Sequence, residues 1–294
     1  MTESFKQRLA RAPAVLAPGA YDALTALLIE QAGFEAIYVS GAAIAYTQLG
    51  RPDIGLVAFD QVADVVGRMR ERTSLPLIVD ADTGYGNALN VQRTVRVLEQ
   101  RGATAVQIED QSFPKRCGHL AGKSIVPMAE MIGKVKAAAD GRRSTDTLII
   151  ARTDAIAVEG MDAALDRASA YLEAGADVLF VEAPRTRQEM QTVVKAVGGR
   201  APLIANMVEG GRTPMFNLDE LSELGFQLVI SPGAIVRAVI PVVEEFLASL
   251  KTHGATKPFA DRMIDLAGVN ARIGLDEIIA HGAQYDPAAN EPAE

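Results

Sequence analysis

The stretch LIIARTDAIAVEGMDAALDRASAYLEAGADVLFVE, residues 148–182, contains one complete strand–helix–strand unit. It begins with the apolar run 148–151, continues through a helical pattern at 161–174, and then reaches Gly175. Glycine commonly follows the last helical turn because it tolerates a left-handed backbone. A second apolar run follows at 178–181. Since both runs are continuously apolar and do not alternate, they are typical of parallel strands buried on both faces.

The same unit recurs along the whole chain. Eight short apolar runs alternate with helical patterns, which predicts a closed (β/α)8 barrel of the TIM type in the α/β class. The runs lie at 15–17, 36–39, 75–79, 105–108, 148–151, 178–181, 203–205 and 228–230. An open doubly wound sheet is the alternative, but it needs a Gly-rich phosphate turn after its first strand. Pro18-Gly19-Ala20-Tyr21 is not such a turn.

Helical patterns continue beyond the eighth unit. We expect a catalytic barrel over residues 1–250 and a C-terminal helical extension over 251–294. The extension has helical patches at 261–267 and 275–280 and ends in a tail at 287–292 that reads as frayed. We expect this C-terminal extension to pack against a neighbouring subunit.

Composition excludes several classes of protein. The 294 residues are 49% hydrophobic, enough for a large core, and the net charge of −8 opposes binding to nucleic acid or anionic lipid. An anionic substrate therefore needs a local cationic pocket or a metal. The N-terminus lacks an apolar signal core, and no apolar run reaches the ~20 residues that span a bilayer, so we expect a cytoplasmic protein. A single cysteine excludes an internal disulfide and a multi-cysteine zinc site.

Polar residues follow the predicted strands at the end where barrel enzymes have their active sites. Several of them are carboxylates, which repel one another at short range unless a cation lies between them. Oxygen-only ligands suit Mg²⁺, with Mn²⁺ as a substitute, so we predict a magnesium site here. An isolated Asp-x-Asp such as Asp80-Ala81-Asp82 is more often a solvated turn or a helix cap. The prediction therefore depends on the recurrence of carboxylates at successive strand ends.

The only cysteine lies in Lys115-Arg116-Cys117-Gly118-His119-Leu120. Neighbouring positive charge lowers a thiol pKa, so we expect Cys117 to be a proton donor or a nucleophile on a loop. The alternative is a small buried hydrophobe. His119 fits a plain hydrogen-bonding role as well as a catalytic one. Arg152 suits a bidentate clamp for a substrate carboxylate or a structural ion pair, and Tyr38 could simply fill the barrel.

These residues together resemble the isocitrate lyase/phosphoenolpyruvate mutase superfamily. The resemblance spans nearly the whole chain, through GAYD at 19–22, YVSG at 38–41, DADTG at 80–84, QIEDQ at 107–111 and ARTDA at 151–155. Lys115-Arg116-Cys117-Gly118-His119 is similar to the signature of the carbon–carbon lyase branch, the branch of 2-methylisocitrate and 2,3-dimethylmalate lyases. The phosphonate-forming and hydrolysing branches lack this motif.

The resemblance implies a role for each site residue. Asp80 and Asp82 hold Mg²⁺, and Asp53 and Glu109 complete the surrounding shell, partly through water. The implied catalytic residues are Cys117, Tyr38, Arg152, His119 and Glu182. The implied substrate-binding residues are Ser40, Gly41, Arg152, Lys115, Arg116, Gly118 and Asn206. The resemblance also implies a homotetramer in which a C-terminal helix packs on a neighbour's barrel.

The implied reaction is retro-Claisen cleavage of a 2-hydroxy dicarboxylate into an α-keto acid and a carboxylate, with Cys117 protonating the carbanion. Tyr38, a metal-bound water or a carboxylate takes the hydroxyl proton. Met207 and Val208 stand where methylisocitrate lyases have Ile-Thr, which favours a 2-alkylmalate because an unpaired buried carboxylate is costly. 2-Methylisocitrate stays an alternative substrate. Oxaloacetate hydrolysis, oxaloacetate decarboxylation and a non-catalytic binding barrel are the other interpretations.

Overall fold

A computed structural model describes residues 3–120 and 122–285. Eight strands form one parallel sheet, and at least one helix follows each strand. The strands are β1 Val15–Ala20, β2 Ile37–Val39, β3 Leu77–Asp80, β4 Ala105–Glu109, β5 Leu148–Thr153, β6 Val178–Val181, β7 Ile204–Asn206 and β8 Leu228–Ser231. All eight predicted runs are therefore strands.

Twelve α-helices lie in the described ranges. They are α1 Phe5–Leu9, α2 Ala23–Gln31, α3 Gly41–Ile44, α4 Phe59–Arg70, α5 Ala88–Gln100, α6 Met128–Gly141, α7 Met161–Glu173, α8 Arg187–Val197, α9 Leu218–Leu224, α10 Ala234–His253, α11 Leu266–Ile273 and α12 Leu275–Ala283. Shorter turns complete them: a π-helical turn at Ala45–Leu49 and 3-10 turns at Ala155–Ala157 and Lys257–Arg262.

The sheet closes on itself. Its strand order is β6-β5-β4-β3-β2-β1-β8-β7, so β6 and β7 are the two edges. These edges meet where the Leu179 N–H donates to the Pro202 carbonyl at 3.0 Å and Leu179 bridges Leu203 in parallel register. The predicted (β/α)8 barrel is confirmed, and the alternative of an open doubly wound sheet is excluded.

Alternate residues of each strand pack on opposite sides of the barrel wall, which explains the continuously apolar runs. Ile150 belongs to a core inside the barrel, whereas Ile149 packs with the core under the helices. Phe5 and Leu9 of α1 join the inner core, so this short helix covers one end of the barrel. Burying such side chains contributes about 1.5–3 kcal/mol each, which makes both sides of the wall contribute to stability.

Helix α5 shows how local sequence determines where an outer helix begins and which face it buries. Asn87 caps it by accepting hydrogen bonds from the N–H groups of Leu89 and Asn90. Its buried residues include Val91, Val95 and Leu98, which recur at the spacing of one helix face. The helix begins directly after the β3 loop, and this places that loop at the mouth of the barrel.

The chain divides into two compact units, the first ending at Arg237 and the second starting at Ala238. In the second unit, the rings of Phe246 and Phe259 meet edge to face at 5.4 Å. The predicted helical patches fall on the 3-10 turn, α11 and α12, whereas the predicted tail at 287–292 lies outside the described residues. Among helices of the described ranges, none is both long enough and apolar enough to cross a bilayer. The division at residue 250 stays a prediction.

Candidate active site

One pocket at the carboxyl ends of the strands collects most of the predicted site residues. It is lined by Tyr38, Ser40, Asp53, Asp80, Glu109, Lys115, Arg116, Cys117, Gly118, His119, Arg152 and Asn206. The remaining three contact these residues directly. Asp82 lies 2.7 Å from Lys115, Glu182 lies 3.2 Å from His119, and a Cβ on Gly41 would lie 3.3 Å from Asp80 Oδ2. The fold therefore brings all predicted site residues together, and their chemical roles stay predictions.

Asp80 and Asp82 converge through a turn. Strand β3 ends at Asp80, and Asp82 follows in the left-handed region with φ of 46°. The Asp82 N–H donates to Asp80 Oδ1 at 3.3 Å, which stabilises this turn. A non-glycine residue in this conformation costs about 1–3 kcal/mol, and such residues cluster at functional sites. The turn therefore brings the two carboxylates together, because Asp82 lies beyond the end of the strand.

Burial makes ionisation of these carboxylates costly. It raises the pKa of Asp82 to about 7, although the Lys115 ammonium opposes the shift. Burial also raises the pKa of Asp80 and places that of Glu109 well above its ordinary value. Glu109 Oε1 is buried and accepts no hydrogen bond, and the buried Asp82 Oδ1 has only its ion pair with Lys115 at 2.7 Å. These carboxylates would be stabilised by further positive charge.

The donor set fits a magnesium ion in chemistry and in number. Within residues 3–120 and 122–285, no group of three or more ligating side chains is arranged to hold a metal. Mg²⁺ is commonly bound by only one or two protein carboxylates, with water in the other positions. Asp80 and Asp82 would supply two such carboxylates, and the unpartnered Glu109 Oε1 is a further buried oxygen of the same pocket.

The loop that contains Cys117 is folded down over the pocket. Its two ends pair where the Ser112 N–H donates to the Ser124 carbonyl at 2.9 Å. Gly118 approaches the pocket floor so closely that a Cβ would lie 2.4 Å from both Arg152 Nη2 and Glu182 Oε1. Only glycine permits this approach, which explains its place beside the cysteine.

The Cys117 thiol is held in its neutral form. Burial raises its pKa, and the carboxylates of Asp53 and Glu182 act in the same direction. A hydrogen bond from the His119 backbone and the charge of Arg152 oppose the shift without reversing it. The expectation of a lowered thiol pKa was wrong, because burial outweighs the neighbouring positive charge. A neutral thiol suits proton donation better than nucleophilic attack.

The sequence allowed Arg152 to be either a clamp for a substrate carboxylate or a member of a structural ion pair. The structure shows the ion pair. Its Nε and Nη2 donate to the two carboxylate oxygens of Asp154 at 2.9 and 3.1 Å. Its Nε also lies 3.3 Å from Glu109. Although burial lowers its pKa, Asp154, Glu109 and Glu182 outweigh this effect, so the guanidinium stays charged. Arg152 is therefore a fixed cation at the pocket wall.

Tyr38 reaches the acidic cluster through a residue that sequence reasoning missed. Its hydroxyl donates to Gln107 Oε1 at 3.0 Å, and Gln107 Nε2 donates to Asp80 Oδ1 at 3.1 Å. Burial places the Tyr38 pKa well above its ordinary value, so the phenol keeps its proton. Gln107 was detectable as the one polar residue inside the apolar run 105–108.

His119, Glu182 and Asn206 form a second polar group in the site. The Arg212 N–H donates to His119 Nδ1 at 3.0 Å, so a neutral ring has its proton on Nε2. That nitrogen lies 3.2 Å from Glu182 Oε1, and Asn206 Nδ2 donates to Glu182 Oε2 at 3.3 Å. Burial lowers the His119 pKa, which favours the neutral ring.

Sequence reasoning also missed Lys123 and Tyr46, and it assigned no role to Asp154. Lys123 donates to Asp154 Oδ1 at 2.7 Å and to the Gly118 carbonyl, so it ties the loop to β5. Tyr46 lines the pocket from the π-helical turn. Asp154 was detectable from its position after β5, whereas nothing in the sequence marked Lys123 or Tyr46 as neighbours of the cysteine.

Two curated relatives are similar over most of the chain. The 2,3-dimethylmalate lyase of Eubacterium barkeri is 42% identical over 264 residues, which cover 90% of this chain and 91% of the relative. The 2-methylisocitrate lyase of Aeropyrum pernix is 43% identical over 277 residues, which cover 94% and 88% of the two chains. These relatives confirm the prediction of a carbon–carbon lyase.

Solved structures share the fold. A 2,3-dimethylmalate lyase matches with a TM-score of 0.91 and 33% identity, covering 98% of this chain and 97% of the other. An oxaloacetate acetylhydrolase matches at 0.90 and 30%, covering 97% of each chain. A phosphonopyruvate hydrolase in complex with oxalate and Mg²⁺ matches at 0.86 and 30%, covering 95% and 97%.

The family is shown by sequence as well as by fold. The profile of the phosphoenolpyruvate phosphomutase family matches residues 5–251, which is most of the chain. The predicted isocitrate lyase/phosphoenolpyruvate mutase superfamily is thereby confirmed: this chain belongs to the phosphoenolpyruvate phosphomutase family.

Proposed function

We propose that this chain cleaves the C2–C3 bond of a 2-hydroxy dicarboxylate of the 2-alkylmalate type, releasing an α-keto acid such as pyruvate and a carboxylate. One observation supports this most: a neutral thiol, Cys117, shares a pocket with the acidic cluster formed by Asp53, Asp80 and Glu109. The thiol can protonate a carbanion, and the acidic cluster suits the cation that such a cleavage requires.

We place Mg²⁺, with Mn²⁺ as a substitute, at Asp80 and Asp82, with Asp53 and Glu109 around it. The burial of these carboxylates and the Glu109 Oε1 without a hydrogen bond support this position. When bound, the ion would stabilise the negative charge that develops on the substrate oxygen as the bond breaks.

The chain's own residues would bind and protonate the reacting groups. Ser40 and Gly41 lie beside the acidic cluster and would bind the keto-acid carboxylate, and the charged Arg152 would assist them. Cys117 would deliver its proton to the carbanion of the departing carboxylate. The folded loop would exclude water and so protect this carbanion.

Further residues support this arrangement. Glu182 accepts hydrogen bonds from His119 and Asn206 and would orient both, while Asn206 and Gly118 would bind the second carboxylate. Tyr38 would act on Asp80 through Gln107, because its raised pKa keeps the phenol protonated and unable to accept the hydroxyl proton. A carboxylate of the cluster is the better acceptor for the hydroxyl proton. Lys115 and Arg116 bring positive charge to the same pocket.

The pocket wall favours an alkyl group on the substrate. Val208 lines the pocket and is apolar. Met207 instead turns away from it, and its sulfur accepts a hydrogen bond from the Phe216 N–H at 3.5 Å. Only Val208 of this pair would therefore contact a substrate, and it offers no hydrogen bond to a third carboxylate.

Hydrolysis of oxaloacetate is the second candidate, since an oxaloacetate acetylhydrolase matches the fold with a TM-score of 0.90. One experiment separates the candidates: purified protein is incubated with Mg²⁺ and a panel of 2-hydroxy di- and tricarboxylates and oxaloacetate. Pyruvate with a second carboxylate from an alkylmalate supports the proposal. Oxalate with acetate, or pyruvate with CO₂, identifies a hydrolase or a decarboxylase instead. Lack of turnover of every compound contradicts the proposal.

We also propose a homotetramer in which the C-terminal extension over 251–294 packs on a neighbouring subunit. Exposed apolar side chains of α11 and α12 support this, among them Leu266, Ile278 and Ile279. Light scattering after size-exclusion chromatography measures the mass, and a monomer would contradict the proposal. The cytoplasmic location stays a prediction.

A further inference from the structure

The loop that contains Cys117 begins and ends at one place beside the barrel. It leaves β4 after Asp110 and returns at Val126, just before α6. The Val126 N–H donates to the Asp110 carbonyl at 2.8 Å, and Gln111 bridges Ile125 in antiparallel register. These contacts form the base of the loop, so the position of the thiol depends on the geometry of this base.

A buried arginine of α7 donates to both sides of the base. Arg167 Nη1 lies 3.0 Å from the Val126 carbonyl oxygen and 3.3 Å from Asp110 Oδ2. The arginine side chain is only 4% exposed, and its Nε and Nη2 donate to the Glu159 carboxylate at 2.9 and 3.1 Å. Since a guanidinium is a rigid planar fork and its hydrogen bonds are charge-assisted, these contacts hold the two sides of the base at a fixed spacing.

The same network reaches the pocket through Asp110. Its Oδ1 accepts a hydrogen bond from the Asp154 N–H at 2.9 Å. Asp154 in turn pairs with Lys123 of the loop and with Arg152 at the pocket wall. Arg167 itself does not line the pocket, so any effect that it has on the reaction must pass through these neighbours.

We propose that Arg167 is a positioning residue for Cys117: it fixes the base of the loop, so that the thiol takes the same place over the pocket whenever the loop folds down. This inference rests on the proposed role of Cys117 as the proton donor. A proton donor must lie within hydrogen-bond reach of the carbanion, and a misplacement of about 1 Å can cost about 100-fold in rate. Loss of Arg167 should therefore slow the reaction more than it weakens substrate binding.

Turnover by the folded variants tests this role. Arg167→Met should keep the fold, because Asp110 retains its hydrogen bonds from Thr153 and from the Asp154 N–H. Its kcat should fall about 10- to 100-fold, with KM within about three-fold of the wild-type value. Val197→Ala, a cavity variant at the buried last residue of α8, lowers stability without touching the loop, so its kcat should stay within about two-fold of the wild type. A kcat for Arg167→Met equal to that of Val197→Ala overturns the proposal.

Alkylation of Cys117 by iodoacetamide tests the loop without turnover, because this is the only cysteine of the chain. Arg167→Met should react at least several-fold faster than the wild type, since a loosened base lets the loop open more often, whereas Val197→Ala should react at the wild-type rate. Equal alkylation rates for the two variants also overturn the proposal.

Arg167→Lys is the second variant, which keeps the buried charge but lacks the planar fork. It should show both effects to a smaller degree, and it replaces Arg167→Met if that variant does not fold. Wild-type kcat and alkylation rate in the lysine variant would then overturn the proposal. Failure of the wild type to turn over any compound of the panel would remove the proposed function, which is a different result. The alkylation rates alone would then decide whether Arg167 positions the loop.

Discussion

Lys123 and Asp154 form a buried ion pair, with Lys123 Nζ 2.7 Å from Asp154 Oδ1 and side-chain exposures of 2% and 0%. The pair joins the loop that contains Cys117 to the end of β5, and Asp154 also receives two hydrogen bonds from Arg152. The Asp154 carboxylate therefore fixes both the Cys117 loop, through Lys123, and the Arg152 guanidinium at the pocket wall.

Lys123→Met should loosen the loop. The variant loses its bonds to Asp154 and to the Gly118 carbonyl, and Asp154 keeps Arg152 as its partner, so the barrel stays folded. Hydrogen exchange of the amides at 115–120 should become at least several-fold faster. Lys136→Met removes an exposed lysine of α6 and is the control. Unchanged exchange in the Lys123 variant would show that the pair does not hold the loop.

Cys117→Ser should abolish turnover while binding continues. A serine hydroxyl is a far weaker acid than a thiol, so we expect kcat to fall about 10²- to 10⁴-fold. Binding of Mg²⁺ and of the keto-acid product, measured by calorimetry, should stay near the wild-type value. Leu120→Ala is the matched control on the same loop. Near-normal kcat in the serine variant would remove Cys117 from the mechanism.

The metal-free protein should lose stability as the pH rises from about 4 to about 7. Asp82 has a folded-state pKa of about 7 against an ordinary value of 3.8, so between these values the folded state binds more protons than the unfolded state. The free energy of unfolding then falls with pH, and Asp80 and Glu109 act in the same direction.

Denaturant unfolding in EDTA at pH 5, 6, 7 and 8 measures this slope. Asp82→Asn cannot ionise and should show a shallower decline than the wild type, with the two proteins closest at pH 5. Saturating Mg²⁺ should restore stability at pH 8 by binding only the folded state. Parallel pH profiles for the wild type and the variant would contradict the assignment.

Asp110 should be the most sensitive structural carboxylate next to the site. It accepts hydrogen bonds from Thr153, Tyr171, Arg167 and the Asp154 N–H, all of them buried. Asp110→Ala leaves the buried Thr153 and Tyr171 hydroxyls and the Asp154 N–H without their acceptor and should cost about 2–4 kcal/mol in the free energy of unfolding.

The control for that change is the other partner of Arg167. Glu159 is 41% exposed, so Glu159→Ala should cost less than about 1 kcal/mol. Equilibrium denaturation gives both values. If both variants lose the same free energy of unfolding, burial does not explain the contribution of the Asp110 hydrogen bonds to stability.

Val208→Thr should shift substrate preference. A hydroxyl at this pocket position offers a hydrogen bond to a third carboxylate, so kcat/KM for 2-methylisocitrate relative to 2,3-dimethylmalate should rise about ten-fold. Met207→Leu, at a buried residue outside the pocket lining, should leave the ratio unchanged. A ratio that does not respond to Val208 would place the specificity determinant elsewhere.

The sequence by itself determined the barrel and which predicted residues meet at its mouth. Continuous apolar runs with glycine-terminated helices permit few other architectures, and parallel strands necessarily bring residues such as Asp80 and Glu109 to one end. The tertiary structure alone decided how these groups pair. The left-handed turn at Asp82, the partnership of Lys115 with Asp53 and the neutral state of Cys117 depend on burial and on contacts between distant segments. Local sequence cannot encode those contacts, because charge pairing and desolvation arise only after the loops pack over the barrel mouth.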